Sequence, residues 1–433
     1  MCFGRSECEE RGAEMKNSLA LFFLFFSLIP YLRIIPIQTD TQPNALICGF
    51  LYLICYNKSV RLKELNELLI IVLVATILLL FSGFSFNALR SYSNYLSLYI
   101  LTYAAYIIFR YMKGLDFGVY ASVVCIWFVV GSIQMFIDPS FLSFLIPRGN
   151  SEITLSTGRG IVCLAPEATH YGLICLLLFV LGYINWKFDK KIRLIYVLIL
   201  IQIFFYSRSS LTILIIAITS LVLTVYRVLT DKKRRIKFLI GFALFSLMVF
   251  YSIYTNYQEI QNYRVGKLLT TLIDNPLLFV VLDNSANERF VHIFFPIIGF
   301  FDNYFLPHGF DNFAQYYKEC LRKFPNLVVD WTYNNNSSAR IMSGWGAAFY
   351  EIGIFTFLII DVFRRIINAV CKGMAKVFIF LVLMLVFFNA FPFSTPIVSL
   401  ILGDLLYIRK RKCINRLKNV AKQRCSYLDS SRL

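Results

Sequence analysis

The chain has 433 residues, 58% of them hydrophobic and 16% charged, with a mean hydropathy of +0.65. A soluble domain of this length carries more charge and fewer long apolar runs, so the composition points to a polytopic membrane protein. The net charge of +18 does not argue for nucleic acid, because Lys and Arg fall in short clusters between apolar runs rather than in one basic domain.

Residues 1–14, "MCFGRSECEERGAE", are polar and unpatterned, and "MKNSLALFFLFF" from Met15 reads as an ordinary membrane-protein start. No small-residue cleavage site follows that run, so it is expected to be a first anchor rather than a removed signal. A helix needs roughly 20 mostly apolar residues to span a bilayer. Runs that qualify or nearly qualify lie at 18–37, 44–57, 67–86, 94–112, 115–137, 168–185, 194–207, 210–228, 237–255 and 341–361. The stretch 377–408 is too long for one span and is broken by "FPFSTP", whose two prolines suit a tight turn between two short helices. The expectation is an all-α polytopic integral membrane protein of about 12 spans, with residues 1–433 forming one membrane domain.

The basic segments "KSVRLK", "KFDKKIR", "DKKRRIK", "FRRIINAVCKGMAK" and the tail at 409–433 alternate correctly if all are cytoplasmic, which puts both termini inside. Outer loops are then expected at 138–167 and at 256–340, the second too long for a mere connection. Within it, "RFVHIFFPIIGFFDNYFLP" is apolar but interrupted by Asn, Asp and Pro, as in a segment that lies along the membrane surface or dips into it. Eleven scattered cysteines without CxxC spacing read as small core residues, not as a disulfide or zinc framework.

On this topology twelve of the 43 basic residues face outward, and nine of those are Arg, whereas the inside set splits almost evenly between Arg and Lys. A guanidinium grips phosphate at two points where an ammonium acts as a point charge, so an Arg-rich outer face suits an anionic, lipid-borne substrate. The plainer reading is that positive-inside selection tolerates a few outside arginines. All three histidines, His170, His292 and His308, also fall outside, and each suits either a phosphate contact or an ordinary polar surface. No D-x-D pair is present to hold a divalent metal against a sugar nucleotide.

"CLAPEATHYG" places Glu167 and His170 three residues apart at the start of a span. Pro166 and Glu167 fit the first helical turn, where a carboxylate is favoured by the helix dipole; a base toward a sugar hydroxyl, or a partner for Arg159 or His170, are compatible roles. Glu351 lies within "SGWGAAFYEIGIFTFLII", where an ionisable group is costly and is usually functional or paired. Gly344, Gly346, Ala347 and Ala348 in the same stretch let another helix approach closely.

"GRGIVCLAPEATHYG", "FFYSRSSLTILIIAI", "SANERFVHI" and "SGWGAAFYEIGIF" together resemble, in order, four segments of the bacterial O-antigen and exopolysaccharide polymerases of the Wzy type, related to the O-antigen ligases. The resemblance covers roughly residues 155–360. The family reads Glu-Pro-Ser where this chain has Pro166, Glu167, Ala168 and Thr169. It implies a GT-C-like fold in the cell inner (plasma) membrane and a metal-independent glycosyltransferase without a cofactor. A growing glycan would pass from undecaprenyl diphosphate to a lipid-linked repeat unit on the outer side. Implied partners are the undecaprenyl-diphosphate-linked oligosaccharide, membrane lipids, a chain-length regulator and a flippase, with no nucleic acid. The residues it singles out are Glu167, His292 and Arg289 for catalysis, and Arg159, His170, Arg208, Arg264, Arg340 and Glu351 for the diphosphate and glycan. Three rivals are an O-antigen ligase, with a lipid A–core acceptor, a flippase or transporter, which would show two similar halves, and a structural membrane protein, in which the placement of Arg, His and Glu is accidental; no internal repeat stands out.

Overall fold

The computed structural model describes residues 3–34, 41–56, 62–147, 151–156, 160–187, 189–230, 284–328, 340–388 and 391–430, with single positions at 39 and 149 and a few between 240 and 255. Among the described residues the structure is helical and contains no strand. In chain order, the helices are α1 (Phe3–Leu28), α2 (Asn44–Tyr56), α3 (Lys63–Ser82), α4 (Phe86–Met112), α5 (Phe117–Phe136), α6 (Ser151–Ser156), α7 (Ala168–Trp186), α8 (Ile192–Ile201), α9 (Ser210–Thr230), α10 (Asn284–Asp302), α11 (Phe313–Lys323), α12 (Gly344–Glu351), α13 (Thr356–Val370), α14 (Met374–Phe388) and α15 (Pro396–Ser430). Four of them, α3, α5, α7 and α9, are long and apolar enough to cross a membrane, and shorter apolar helices accompany them. The protein is a helical membrane protein.

Burial sorts these helices. In α7, 72% of the apolar window is covered by protein, against 17% in α9, so α7 is a core helix and α9 turns most of its surface outward. Leu214, Leu221, Val225 and Leu229 of α9 and Leu73, Ile77 and Leu80 of α3 are exposed. Such faces are stable only against lipid or other protein. The centre is α4, 27 residues long and too rich in Tyr, Ser and Asn to qualify by composition. It is sheathed by α2, α3 and α15, which bury Tyr95, Ala104, Ala105, Tyr106 and Phe109.

Helices α3 and α4 form an antiparallel hairpin. Gly83, at φ 82°, ends α3, and the Ser85 side chain accepts from the Ala88 N–H at 3.1 Å to cap α4. One end of the molecule is therefore marked by Ser82 and Ser85, the other by Lys63 and Met112. The loop after α10 is tied to the first end: Phe310 donates its N–H to Ser82 Oγ at 2.8 Å, and Ser85 Oγ donates to Asp311 at 2.6 Å.

Several expected boundaries move. Helix α4 begins at Phe86, not near residue 94, so Arg90 is helical. The run 194–207 is α8 followed by a π-helical turn at Gln202–Ser207. The run 341–361 is two helices, broken where Gly353 takes φ +58° and the Phe305 carbonyl accepts from the Ile354 N–H at 2.9 Å. A side chain at Gly353 would collide with that carbonyl, at 2.6 Å from a modest Cβ. "FPFSTP" does break 377–408, separating α14 from α15. The expected tail from 409 continues α15 to Ser430, because residues 404–430 contain no Gly or Pro to stop it. Residues 1–14 were unpatterned in sequence, yet the backbone is helical from Phe3. The span near 237–255 lies largely outside the described residues.

The long loop at 256–340 has a core of its own. Val291, Phe295, Phe313, Tyr317, Cys320 and Leu321 from α10 and α11 pack with Ile341, Ala347 and Tyr350 beside and within α12. Close approach is possible because α12 is small-faced: a Cβ on Gly346 would lie 2.6 Å from the His292 carbonyl, and one on Gly344 would lie 2.5 Å from the Phe391 carbonyl.

Candidate functional site

The first turns of α4 carry Asn87, Arg90, Ser91 and Asn94, spaced to lie on one helix face. That face opens onto a cleft closed by the irregular segment 340–343 and by the Pro392–Pro396 turn. The cleft has two adjoining parts, a narrow one of about 20 Å³ and an open one of about 340 Å³, and Arg90, Asn94, Arg340 and Pro392 line both. Glu351 and Tyr95 wall the smaller part; Leu46, Phe86, Leu89 and Leu101 give the larger part an apolar wall.

Local chemistry fixes these walls. Ser343 caps α12, accepting from the Gly346 N–H at 3.0 Å while donating to the Phe387 carbonyl at 3.3 Å. That double bond sets where residues 340–342 leave the helix. Trp345 donates to the Met384 carbonyl at 2.8 Å, and its ring packs edge-on to Phe393 at 5.0 Å. The proline turn is thereby held against α12. The Thr395 hydroxyl and N–H both donate to the Pro392 carbonyl, at 2.8 and 3.1 Å.

Glu351 is buried, as its place in an apolar stretch requires, and it is paired. Its carboxylate accepts from the Tyr95 hydroxyl at 2.7 Å and from Ser91, and Arg340 acts on it electrostatically. The pair joins α4 to α12 across 256 residues of sequence. Arg340 also faces His292. That imidazole is 2% exposed, lies against Tyr317 at 5.8 Å and accepts the Met342 N–H on Nδ1 at 3.4 Å. Burial, with the charge of Arg340 added, pushes its pKa down to about 4, so it is a neutral acceptor. His292 thus holds the segment beside Arg340 and is shut off from bulk solvent.

A second group of side chains adjoins the cleft. Glu167 is the N-cap residue of α7 but its side chain makes no capping bond; its carbonyl accepts from the Tyr171 N–H at 3.1 Å. The first-turn placement is thus corrected by one position, because φ −147° and ψ 153° at Glu167 are extended, not helical. Its half-exposed carboxylate turns instead to Arg289 of α10, at 3.5 Å, and to His170 Nδ1, at 3.9 Å. Arg289 also donates to the Thr169 hydroxyl at 3.4 Å. His170 is buried between Tyr31 and Phe391, stacked on the latter at 5.3 Å. Phe391 adjoins Pro392, so the proline turn touches His170 on one side and lines the arginine cleft on the other.

The remaining candidates are placed differently. Arg208 ends the π turn at φ 43°, exposed, with Nε donating to the Phe205 carbonyl at 3.1 Å; it lines neither part of the cleft. Arg159 and Arg264 lie outside the described residues. Gly160 is described and sits directly against the Tyr206 and Ser207 carbonyls, with the Ile161 N–H donating to Tyr206 at 2.9 Å. His308 stacks on Tyr350 at 4.1 Å and contacts the Gly299 carbonyl at 2.8 Å, fastening α10 to α12.

Sequence reasoning missed Arg90 and Tyr95 as site residues. The signal was there: "NALRSYSN" repeats polar side chains at helical spacing immediately after a Ser cap. Its polar turns lower the local hydropathy, so an apolar run alone places the start of the span near residue 94.

Chemically, two guanidinium groups facing one cleft with an apolar wall suit a diphosphate on a lipid. A carboxylate held by an arginine a short way off suits orientation of a hydroxyl. Among the described residues, no three His, Cys, Asp or Glu side chains come together as a metal site would need. No protein-family model matches this chain, and no curated protein matches it.

Proposed function

We propose that the protein is a polysaccharide polymerase. It moves a growing glycan from undecaprenyl diphosphate to a lipid-linked repeat unit at the outer face of a bacterial inner membrane. The observation that carries this reading is the cleft into which both Arg90 and Arg340 project, with Leu46, Leu89 and Leu101 beside them. In the reaction a hydroxyl oxygen of the acceptor bonds to the anomeric carbon of the donor. The bond from that carbon to the diphosphate oxygen breaks, and the hydroxyl proton leaves to a base. Charge builds on the departing diphosphate, where Arg90 and Arg340 stabilise it. Glu167, fixed by Arg289, orients the acceptor hydroxyl. His170 and His292 hold the walls of the site through Phe391 and Met342.

The reading carries the sequence topology with it: about 12 spans, both termini inside, and the 256–340 loop outside. The test is a deletion strain complemented with this chain, its surface polysaccharide separated on a gel. Loss of the ladder with single attached repeats remaining, restored by complementation, is the expected outcome. Loss of every attached repeat, with polymerised chains left unattached, would replace the polymerase by a ligase. Reporter fusions at Tyr304 should signal outside and at Lys412 inside. A cytoplasmic signal at Tyr304 would overturn the site, because the loop and the cleft share one end.

A further inference from the structure

The opposite end of α4 carries a second basic cleft. Arg90 and Arg110 are twenty residues apart on one helix, about 30 Å at 1.5 Å per residue, close to the thickness of the bilayer's hydrocarbon core. There Arg110 and Lys113, at the end of α4, face Lys410 and Arg411 on α15 across a space of about 330 Å³, with Tyr106 and Tyr407 at its base. No carboxylate lines it. The neighbours of these cations on α15 are already engaged: Arg409 pairs with Glu64 of α3, and Lys412 donates to the Val370 carbonyl at 3.1 Å. Among the described residues, none of the four cleft cations lies within ion-pair distance of an Asp or Glu.

Four like charges gathered on two packed helices repel one another, and two other cations of the same helix end have been given partners. The arrangement is stable when an anion enters. Ile414 at the cleft and Tyr111 on the adjoining turn are exposed apolar surface at the same level. A free anion has no use for that surface, whereas acyl chains do. We propose that this cleft binds the phosphate head group of an anionic phospholipid of the membrane leaflet opposite the Arg90–Arg340 cleft. The bound lipid clamps the end of α4 to α15.

The test uses the full chain in detergent, with equimolar phosphatidylglycerol and phosphatidylcholine added and the retained lipid read by native mass spectrometry. The wild type should retain phosphatidylglycerol preferentially. The triple variant R110Q/K410Q/R411Q should lose that retention by about tenfold or more, given the strength of single cation–lipid attractions. The control K190Q/K191Q/R227Q removes the same charge elsewhere and should retain the lipid as the wild type does. Equal losses in both triples would show diffuse attraction and overturn the site, as would no preference in the wild type. Displacement by equimolar glycerol 3-phosphate would show a free-anion site and overturn the lipid assignment. Should the cleft triple fail to fold, photocrosslinking of wild type with an acyl-labelled phosphatidylglycerol decides the matter. Crosslinks at 106–114 and 407–414 support the site, and their absence there overturns it.

Discussion

Both ends of the α3–α4 hairpin use arginine in two ways, as a link between helices and as the lining of a cleft: Arg110 and Arg411 line the cleft at the Lys63 end as Arg90 and Arg340 line the one at the Ser82 end. At the Lys63 end, arginines bridge helices: Arg409 of α15 meets Glu64 of α3, and Arg365 of α13 meets Glu67 of α3 while also contacting Asp361 at 2.8 Å. Three helices are knotted by ion pairs, and Glu64 is buried in the process. At the Ser82 end, Arg289 of α10 pairs in the same manner with Glu167, whereas Arg90 and Arg340 line the cleft, Arg340 near enough to act on the carboxylate of Glu351. The same residue type thus serves as a staple where a carboxylate is supplied on a neighbouring helix, and as the lining of a cleft elsewhere. Formal charge does not separate the two uses; the neighbours do.

The sharpest break in this comparison is removal of the cleft arginines. Arg340→Ala and Arg90→Ala should each lower chain elongation by about 10²–10³-fold, the scale of losing one preorganised group at a developing anion. Lys at either position should restore only part, since it keeps charge but loses the two-point grip. The measurement is ladder length and yield at matched membrane levels; near-normal ladders from both Ala variants would leave the cleft without a role.

Acidification should weaken the Ser82 end first. The folded pKa of His292 is near 4, below the ordinary value of 6.5, so its neutral form is favoured by folding. Its stabilising contribution is complete above pH 6.5 and is lost as pH falls from there toward 4, to a total on the order of 3 kcal/mol. Melting of the detergent-solubilised protein between pH 7 and pH 4 should show this slope, and His292→Gln, which cannot take the proton, should flatten it. An unchanged slope in the variant would assign the acid sensitivity to other groups.

Glu167 tests the smaller of the two constellations at the Ser82 end. Glu167→Gln keeps shape and hydrogen bonding and should retain measurable elongation, whereas Glu167→Ala should lose most of it. If Gln is as inactive as Ala, the charge itself is required, as base or as ion-pair partner of Arg289. Arg289→Ala combined with Glu167→Ala should then be no worse than either alone, because the two act as one unit.

The mildest effect is expected at the Glu64–Arg409 staple. Glu64→Gln breaks the pair with the half-exposed Arg409 and should destabilise by about 1 kcal/mol, with elongation unchanged. A large activity loss at matched expression would mean that the two ends are coupled and that the contrast between staple and binding group is too simple.

Much of the helical framework was legible in the chain. The start of α7 at Ala168, the break at "FPFSTP" and the small face of α12 all follow from local signals: an apolar run with a polar entry, prolines that cannot continue a helix, and glycines that admit a neighbouring backbone. Helix α4 was misjudged at its start because its first turns are polar, and polar turns look like a loop when hydropathy alone marks the span. The π turn before Arg208 and the bend at Gly353 were not visible, since both depend on a distant carbonyl or a packed neighbour.

By itself the sequence determined that the protein is helical and membrane-embedded, that its cations cluster between apolar runs, and that Glu167, His170, Arg289, His292, Arg340 and Glu351 stand at helix edges or inside apolar segments. Hydropathy and turn chemistry act over a few residues, so a linear reading recovers them. Only the tertiary structure decided the pairings: Glu167 with Arg289, Glu351 with Tyr95, and Arg340 with Arg90 across one cleft. Those contacts join residues more than a hundred positions apart. Which charge finds which partner is fixed by how helices pack, because an ionised group in a low-dielectric interior must be matched by whatever the fold brings within a few ångströms.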